Sequence, residues 1–427
     1  MREFLNKYGS VVSSALWNFV ESFYYPLLLF VATPVLLRHL GVEQYGVLLF
    51  VNAIAGLGGV SNLGTGTAIV KYVSECLGRD DKAAAAIVIR VSFAITLGGS
   101  LLFSLGVVAL APWVVTEAVA RIGPDRSPAI LIALAVLLVF MQQADGVFGT
   151  ALKGLGRFDR SAKIDSVFKS AGVVAVISVV VAGGSVVTVL LAQALALLCG
   201  AVAKAWAGSR LLLHSIIVPR LDRAWTGRVL QLSGWSWLLS LSTVLFSSAD
   251  RLIVGGMLGA GALARYGVCM QVAQLSHSVP AALMFVLFPH VSRHKGLNAD
   301  YTIHRVRARS IALNVLIAGP LALTLWFFGE DLLRLWIGGD FAKENAPYLS
   351  ILVWASFLLA LNVTPHYILL GLGEMRYVSL TNIFGGLAML TAMLILTPLY
   401  ALTGAVASRT LYGFGVGLNF VRLFKRR

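Results

Sequence analysis

The sequence predicts an all-α polytopic membrane protein with about twelve transmembrane helices. Three observations lead to this fold class: the chain is strongly apolar, its basic residues cluster in alternate connecting segments, and short glycine-rich motifs recur about half a chain apart. Together they predict two six-helix lobes that are related by a parallel internal repeat, with both termini in the cytoplasm.

Composition gives the first observation. Of the 427 residues 58% are hydrophobic and 12% are charged, and the mean hydropathy is +0.84. A water-soluble chain cannot bury so much apolar surface, and apolar runs of the ~20 residues needed to cross a bilayer recur along the whole length. We predict spans at residues 10–37, 46–71, 83–111, 128–152, 163–184, 187–211, 229–258, 264–289, 309–329, 347–370, 377–397 and 400–421.

Neither the first apolar run nor the cysteines indicate another class of protein. The first run, from Ser10, lacks a small-residue cleavage site and is predicted to be a retained span. Cys76, Cys199 and Cys269 show no CxxC spacing, so the sequence predicts no disulfide framework and no metal site. We also find no sequence pattern that calls for a cofactor.

Basic residues orient the predicted bundle. With the N-terminus inside, twenty-six of the 34 Lys and Arg residues fall in inner segments, which include residues 153–169 and 204–228. The positive-inside rule therefore places both termini in the cytoplasm and the connections near 112–127 and 330–346 outside. The net charge of +15 is explained by topology. A nucleic-acid partner would need a soluble basic domain, which the sequence lacks.

Three short motifs recur with nearly constant spacing. Leu40-Gly41 before Tyr45-Gly46 resembles Leu258-Gly259 before Tyr266-Gly267, and the two Leu-Gly pairs have an offset of 218. The glycines of "KGLGRF" and "LGLGEM", at 154–156 and 371–373, repeat at 217, and Pro128 and Pro347, each expected to open a fourth span, at 219. Three ordered matches indicate a repeat. The predicted divisions are an N-terminal lobe at 1–213, a cytoplasmic linker at 214–228 and a C-terminal lobe at 229–427.

Polar side chains follow one face of the seventh predicted span. Its hydroxyls and one carboxylate recur at spacings of three and four, which keeps them on one side of a helix. The members are Ser233, Ser236, Ser240, Thr243, Ser247 and Asp250. The offset of 218 aligns this stripe with a face of the first span that carries Asn18, Ser22 and Tyr25, and span eight adds Gln271 and Gln274. The pattern suits a hydrated cleft, although single hydroxyls also bond their own backbone or a neighbouring helix.

Charged residues inside predicted spans cost roughly 2.5–3.5 kcal/mol each on insertion scales, so they normally face a cavity or a partner. The candidates are Glu21, Arg38, Asp145, Asp250, Arg251 and Arg409. Asp145 shares a face with Gln142 and Gly149, which suits a helix contact as well as a cavity. Arg38 suits snorkelling to the surface as well as a ligand. Asp250 and Arg251 are adjacent, so their side chains diverge by about 100° and do not pair simply with each other.

Two motifs carry a resemblance to a known family. "RHLGVEQYGVLLFVNAI" at 38–54 and "SSADRLIVGGMLGAGALARYG" at 247–267 resemble the first-half and second-half signatures of the oligosaccharide flippases. These form the polysaccharide biosynthesis, or polysaccharide transporter, family of the multidrug/oligosaccharidyl-lipid/polysaccharide exporter superfamily. The resemblance covers nearly the whole chain, and its motifs consist of glycines and a tyrosine more than of reactive groups.

The resemblance implies a flippase that is not an enzyme. It would move a polyprenyl-pyrophosphate-linked oligosaccharide across the cytoplasmic membrane for surface polysaccharide assembly, by alternating access between two lobes and with H⁺ or Na⁺ as a possible coupling cation. The hypothesis for ion coupling names Glu21, Asp145 and Asp250. The hypothesis for the substrate cleft names Asn18, Ser22, Tyr25, Arg38, Ser236, Ser240, Thr243, Ser247, Arg251, Gln271 and Gln274.

Two other functions stay open on the sequence. A cation-coupled antiporter for drugs or organic cations needs acidic residues in the cleft, and Glu21, Asp145 and Asp250 are compatible with it. A membrane-embedded polysaccharide polymerase or ligase needs a large outer loop or a carboxylate motif. The predicted outer connections are short and the sequence has no DxD, which disfavours such an enzyme.

Overall fold

The computed structural model describes residues 2–120, 128–285, 287, 291 and 300–425, which contain helices, turns and no β-strand. Within that part, the side chains at 2–23, 111–120, 235–236, 238–240, 242–246 and 300–306 are not described. The helices are α1 (Arg2–Leu57), α2 (Thr65–Gly78), α3 (Lys82–Ala120), α4 (Pro128–Gly154), α5 (Phe158–Val181), α6 (Val186–Leu212), α7 (Arg223–Leu258), α8 (Ala260–Ala273), α9 (Leu275–Met284), α10 (Asp300–Trp336), α11 (Gly339–Leu361), α12 (Val363–Gly371), α13 (Met375–Val416) and α14 (Leu418–Lys425). The predicted all-α fold is confirmed.

The chain divides into two compact units. The N-terminal unit is Met1–Ser248 and the C-terminal unit is Ala249–Arg427. In the N-terminal unit α4 packs against α6, and α5 packs against α1 and α6. In the C-terminal unit α11 packs against α10 and α13. The predicted lobes and linker at 214–228 stay predictions.

Eight segments of the described chain are long and apolar enough to cross a membrane. They are Tyr24–Asn62, Lys82–Leu110, Pro128–Gly154, Phe158–Val181, Val186–Leu212, Arg307–Trp336, Gly339–Gly371 and Met375–Lys425. The last of them holds two predicted spans, because α13 bends at Ala401 (φ 48°, ψ −134°), close to the predicted gap at 398–399. The total of twelve spans and the orientation of the termini stay predictions.

The second predicted span, 46–71, is wrong as a continuous helix. The chain leaves α1 at Leu57, passes through a 3₁₀ turn (Gly58–Asn62) and enters α2 only at Thr65. Gly64 closes this break at φ 74°, where its N–H donates to Asn62 Oδ1 at 2.8 Å. A Cβ at Gly64 would lie 2.4 Å from the carbonyl oxygen of Ser233, so only glycine fits between this turn and α7.

Further boundaries differ from the sequence predictions. Residues 330–346 are not a loop, because α10 runs to Trp336 and α11 begins at Gly339, which leaves a two-residue connection. Pro347 therefore lies inside α11 and does not open it. Predicted span eight breaks at Gln274 and span ten at Asn362. The outer connection predicted at 112–127 includes the end of α3, and residues 121–127 lie outside the described part.

The two copies of the leading motif have the same backbone conformation. Gly41 interrupts α1 at φ 78° and ψ 165°, and Gly259 separates α7 from α8 at φ 86° and ψ 177°. Residues with a side chain rarely adopt a positive φ with ψ near 180°, so both positions require glycine. Gly156 and Gly373, the second pair of landmarks, also agree, at φ 73° and 79°. This agreement supports the internal repeat, which stays a prediction.

Candidate functional site

A cavity of about 280 Å³ lies inside the N-terminal unit. Its walls come from α1, α4, α5 and α6, the helices that also supply most of the apolar spans of this unit. Polar groups line it between aliphatic side chains: Tyr25, Asn52, Gln142, Asp145, Asp165, Lys169 and Gln193. Of the predicted site residues, the structure brings Tyr25 and Asp145 together here.

A buried lysine joins two of the lining carboxylates. Lys204 on α6 donates from Nζ to Asp145 Oδ1 at 2.6 Å and to Asp165 Oδ1 at 2.8 Å. Its side chain is 2% exposed, and those of Asp145 and Asp165 are 15% and 8% exposed. Such burial is tolerated because the ammonium gains two charge-assisted hydrogen bonds in place of water. Asp145 is therefore both a helix contact and a cavity residue.

A second lysine, which also lines the cavity, forms an ion pair with one of these carboxylates. Lys169, four residues after Asp165 on α5, places Nζ 3.2 Å from Asp165 Oδ1. The same ammonium lies 5.8 Å from the centre of the Tyr25 ring, within the range of a cation–π contact. Two aspartates and two lysines thus form one cluster without net formal charge, which we call the lysine–aspartate cluster.

Small residues let the helices approach closely enough to build this cluster. A Cβ on Gly200 of α6 would lie 3.2 Å from Asp145 Oδ1. A Cβ on Gly172 of α5 would lie 2.9 Å from the Cβ of Ala196 on α6. Close packing through glycine and alanine is common between membrane helices, and here it brings acids on α4 and α5 within reach of Lys204.

Sequence reasoning missed three of these four charges. The charge count grouped Lys204 and Lys169 with the inner basic residues, and the structure places them inside α6 and α5. The side of the membrane on which they lie stays a prediction. Asp165 lay within a predicted span but was not named among the candidate intramembrane charges. The available signal was a lone lysine inside an apolar run and an Asp–Lys pair four residues apart.

Amide groups on α1, α4 and α6 complete the polar lining. Asn52 Nδ2 donates to Leu48 O at 2.9 Å and to Gln193 Oε1 at 3.4 Å. Among the described residues, Asn52 Oδ1, Gln193 Nε2 and the Gln142 amide have no hydrogen-bond partner. These free amide groups can both donate to and accept from a ligand in the cavity.

The C-terminal unit buries a different charged network, at the end of the predicted polar stripe. Asp250 on α7 accepts a hydrogen bond from the Tyr266 hydroxyl at 2.5 Å and forms an ion pair with Arg409 of α13. Arg409 Nη1 also donates to the Tyr266 oxygen at 3.0 Å. The other oxygen of Asp250 accepts the backbone N–H of Arg251 at 2.8 Å. We call these three side chains the arginine–aspartate network.

The remaining described candidates do not join either group. Arg251 is half-buried and forms no ion pair with a described residue. Arg38 and Ser247 are exposed. Gln271 is half-buried, and Gln274 Nε2 lies 3.1 Å from His277 Nδ1 at the break between α8 and α9.

Six candidates lie outside the residues whose side chains the structure describes: Asn18, Glu21, Ser22, Ser236, Ser240 and Thr243. Ser233, which belongs to the same predicted stripe, is buried against the turn at Gly64. Cys76, Cys199 and Cys269 are free thiols. In the described part of the chain, no group of three His, Cys, Asp or Glu residues is placed to hold a metal ion.

The fold defines a multi-pass helical membrane protein with a polar cavity among its apolar helices. An inward-facing multidrug resistance MATE family transporter of the MOP superfamily superposes with a TM-score of 0.74 at 15% identity, covering 94% of each chain. The lipid II flippase MurJ in an inward closed conformation gives 0.73 at 14% identity, over 96% of this chain and 87% of that one. At these identities the likeness concerns the fold alone.

The sequence relationships identify the family. The profile of the polysaccharide biosynthesis protein family matches residues 35–344, and the chain belongs to this family. A Shigella flexneri protein named "Putative O-antigen transporter" is 24% identical over 181 residues, which are 42% of this chain and 43% of that protein. The resemblance drawn from the two motifs is thereby confirmed.

Proposed function

We propose that this protein is a flippase of the cytoplasmic membrane that moves a polyprenyl-pyrophosphate-linked oligosaccharide toward the outer leaflet. The observation that carries the proposal is the polar cavity within the apolar helices of the N-terminal unit. A sugar chain crossing a bilayer must exchange its water hydrogen bonds for protein ones, because unpaired hydroxyls in hydrocarbon are costly. The cavity offers amides and carboxylates for that exchange.

The other parts of the substrate need different surroundings. A pyrophosphate needs cations, and Arg suits it because the planar guanidinium matches phosphate oxygens. Arg251, half-buried and without an ion pair to a described residue, and the exposed Arg38 are the cations we assign to this role. The polyprenyl tail stays in lipid beside the apolar outer faces of the helices. Alternating access of the two lobes then carries the head group across.

Family and relatives support this substrate class. The family is named for polysaccharide biosynthesis, and the name of the Shigella flexneri relative refers to O-antigen transport. A lipid II flippase shares the fold. We therefore propose a lipid-linked glycan as the substrate of this protein. The glycan serves the assembly of a surface polysaccharide such as O-antigen, capsule or exopolysaccharide.

A cation-coupled antiporter for drugs or organic cations is the second candidate. Asp145 and Asp165 border the cavity, and carboxylates in a cavity can bind a cationic compound or a coupling H⁺ or Na⁺. Lys169 and Lys204 disfavour a cationic substrate, because they already neutralise the charge of both carboxylates in the lysine–aspartate cluster. Asp145 stays our candidate for ion coupling, together with Glu21 and Asp250.

Reconstitution separates the two functions. Proteoliposomes receive either a fluorescent polyprenyl-pyrophosphate saccharide, scored by leaflet accessibility, or a fluorescent organic cation with an imposed pH or Na⁺ gradient. We expect the wild type to flip the saccharide. The double variant Gln142→Leu/Gln193→Leu should flip it at least tenfold more slowly, because it replaces two lining amides by apolar side chains of similar volume. Gln231→Leu, an amide exposed on α7, is the matched control and should flip normally. Transport of the organic cation without flipping would refute the proposal.

A further inference from the structure

The cavity of the N-terminal unit has more hydrogen-bonding capacity than the protein itself uses. Lys204 donates to the Oδ1 atoms of the two aspartates, and no hydrogen bond from a described residue reaches either Oδ2 atom. The Asn52 NH₂ group donates to the Gln193 carbonyl oxygen. The carbonyl oxygen of Asn52 and the NH₂ group of Gln193 have no partner among the described residues. The lining therefore presents separate acceptors and donors toward one volume.

The type of ligand follows from this mixture. A metal ion would use only the oxygens, and an apolar drug would use none of the polar groups. A sugar hydroxyl both donates and accepts, so a sugar ring can bond carboxylate oxygens and amide N–H groups together. Tyr25 and Phe168 also line the cavity and offer apolar ring surface to the C–H groups of a sugar.

Charge and size narrow the ligand further. The lysine–aspartate cluster has equal numbers of acids and bases, so a neutral ligand leaves it balanced. A uronic acid or a free amino sugar would add an uncompensated charge inside the membrane. The volume of about 280 Å³ lies near the lower end of the ~300–1,000 Å³ typical of small-molecule sites. That volume suits a single ring better than an extended glycan.

We propose that this cavity is a subsite for one neutral sugar ring of the transported glycan. The carboxylates of Asp145 and Asp165, held in place by Lys204, accept from its hydroxyl groups. The amides of Asn52, Gln142 and Gln193 bond the remaining hydroxyl groups. The inference rests on the proposed flippase function and adds to it a glycan contact contained within the N-terminal unit.

Binding of soluble sugars tests the subsite without transport. The purified full-length protein in detergent is titrated with methyl glycosides of neutral sugars: a hexose, a 6-deoxyhexose and an N-acetylhexosamine. A methyl uronide and a methyl glycoside with a free amine are the charged counterparts, and saturation-transfer NMR reads the binding. We expect at least one neutral glycoside to bind, with both charged ones weaker. Gln193→Leu should lower the affinity about two- to twelvefold, as for one lost hydrogen bond of about 0.5–1.5 kcal/mol. Gln231→Leu should not change it.

The outcomes distinguish the subsite from the flippase function. Sugar binding that depends on Gln193, without flipping of any lipid-linked saccharide, would support the subsite and refute the function. Flipping without binding of any neutral glycoside would refute the subsite and keep the function. Tighter binding of a charged glycoside, or equal binding to wild type and Gln193→Leu, would also overturn the subsite. Unfolding temperatures of the variants, measured in parallel, exclude misfolding as the cause of lost binding.

Discussion

In the N-terminal unit two aspartates share one lysine beside a cavity, whereas in the C-terminal unit one aspartate is held by an arginine and a tyrosine. Both groups are deeply buried, with 2% side-chain exposure at Lys204 and at Asp250. Their hydrogen bonding differs. Asp250 uses both carboxylate oxygens on protein donors, while Asp145 and Asp165 each use one with the described residues.

The choice of cation agrees with this difference. Arginine stays charged and presents several donors in a rigid plane, which suits the fixed arginine–aspartate network. Lysine is a point charge on a flexible stem with three rotatable donors, which suits sharing between two acids. We infer that the C-terminal network stabilises its unit, and that the lysine–aspartate cluster leaves oxygens available to a ligand. Variants of each group can break or sharpen this contrast.

The largest effect is expected for the arginine–aspartate network. Arg409→Gln leaves Asp250 as a buried, uncompensated carboxylate, and breaking such a pair costs about 3–5 kcal/mol. We expect a clear fall in unfolding temperature in detergent, followed by tryptophan fluorescence, and a lower protein level in membranes. The double variant Asp250→Asn/Arg409→Gln should recover part of the loss, because it removes both charges.

A control and an opposing result accompany this prediction. Arg251→Gln changes the neighbouring cation, which has no ion pair with a described residue, and should retain the wild-type unfolding temperature. If Asp250→Asn and Arg409→Gln were both as stable as the wild type but inactive, the network would serve transport directly. That result would favour the ion-coupling role proposed for Asp250 over a structural one.

A smaller loss of stability is expected in the lysine–aspartate cluster. Lys204→Met removes the shared ammonium, but Lys169 stays beside Asp165 and the cavity gives Asp145 some access to solvent. We expect a cost of about 1–3 kcal/mol, which is the usual penalty for a buried group left without its partner. Asp145→Asn added to Lys204→Met should restore part of it. A loss as large as that of Arg409→Gln would show that the two groups are equally rigid.

The sequence predicted the helices better than the polar contacts, for physical reasons. Apolar runs and the Leu-Gly motif fix spans and breaks locally, so α4 to α6 agree with prediction within a few residues and the bend at Gly41 falls at its motif. Asp250 and Arg409 were recognised as costly intramembrane charges, but their contact joins residues 159 positions apart. Lys204 was counted only as an inner-side charge under the positive-inside rule. Its contacts with Asp145 and Asp165 join residues 59 and 39 positions apart, which local sequence patterns do not reveal.

The smallest predicted difference compares the two tyrosines of the repeated motif. Tyr45 and Tyr266 both follow a glycine with positive φ, and both contact a side chain that precedes that glycine in the chain. Tyr266 donates to the charged Asp250 at 2.5 Å, whereas Tyr45 lies 3.4 Å from the neutral hydroxyl of Thr33, which itself donates to Leu29 O. A hydrogen bond to a charged group contributes about 1.5–3 kcal/mol and a neutral one about 0.5–1.5 kcal/mol.

Tyr266→Phe should therefore lower the stability by roughly 1 kcal/mol more than Tyr45→Phe does, since both variants remove one hydroxyl and keep the ring. The measurement is the unfolding temperature of each variant in the same detergent, with Tyr266→Phe repeated in the Asp250→Asn/Arg409→Gln background. Because both charged partners of the Tyr266 hydroxyl are absent there, the effect of losing this hydroxyl should shrink toward that of Tyr45→Phe. Equal losses for the two tyrosines in the wild-type background would show that the charge of Asp250 adds nothing to this contact. The contrast between a fixed C-terminal network and an adaptable N-terminal cluster would then rest on Arg409 alone.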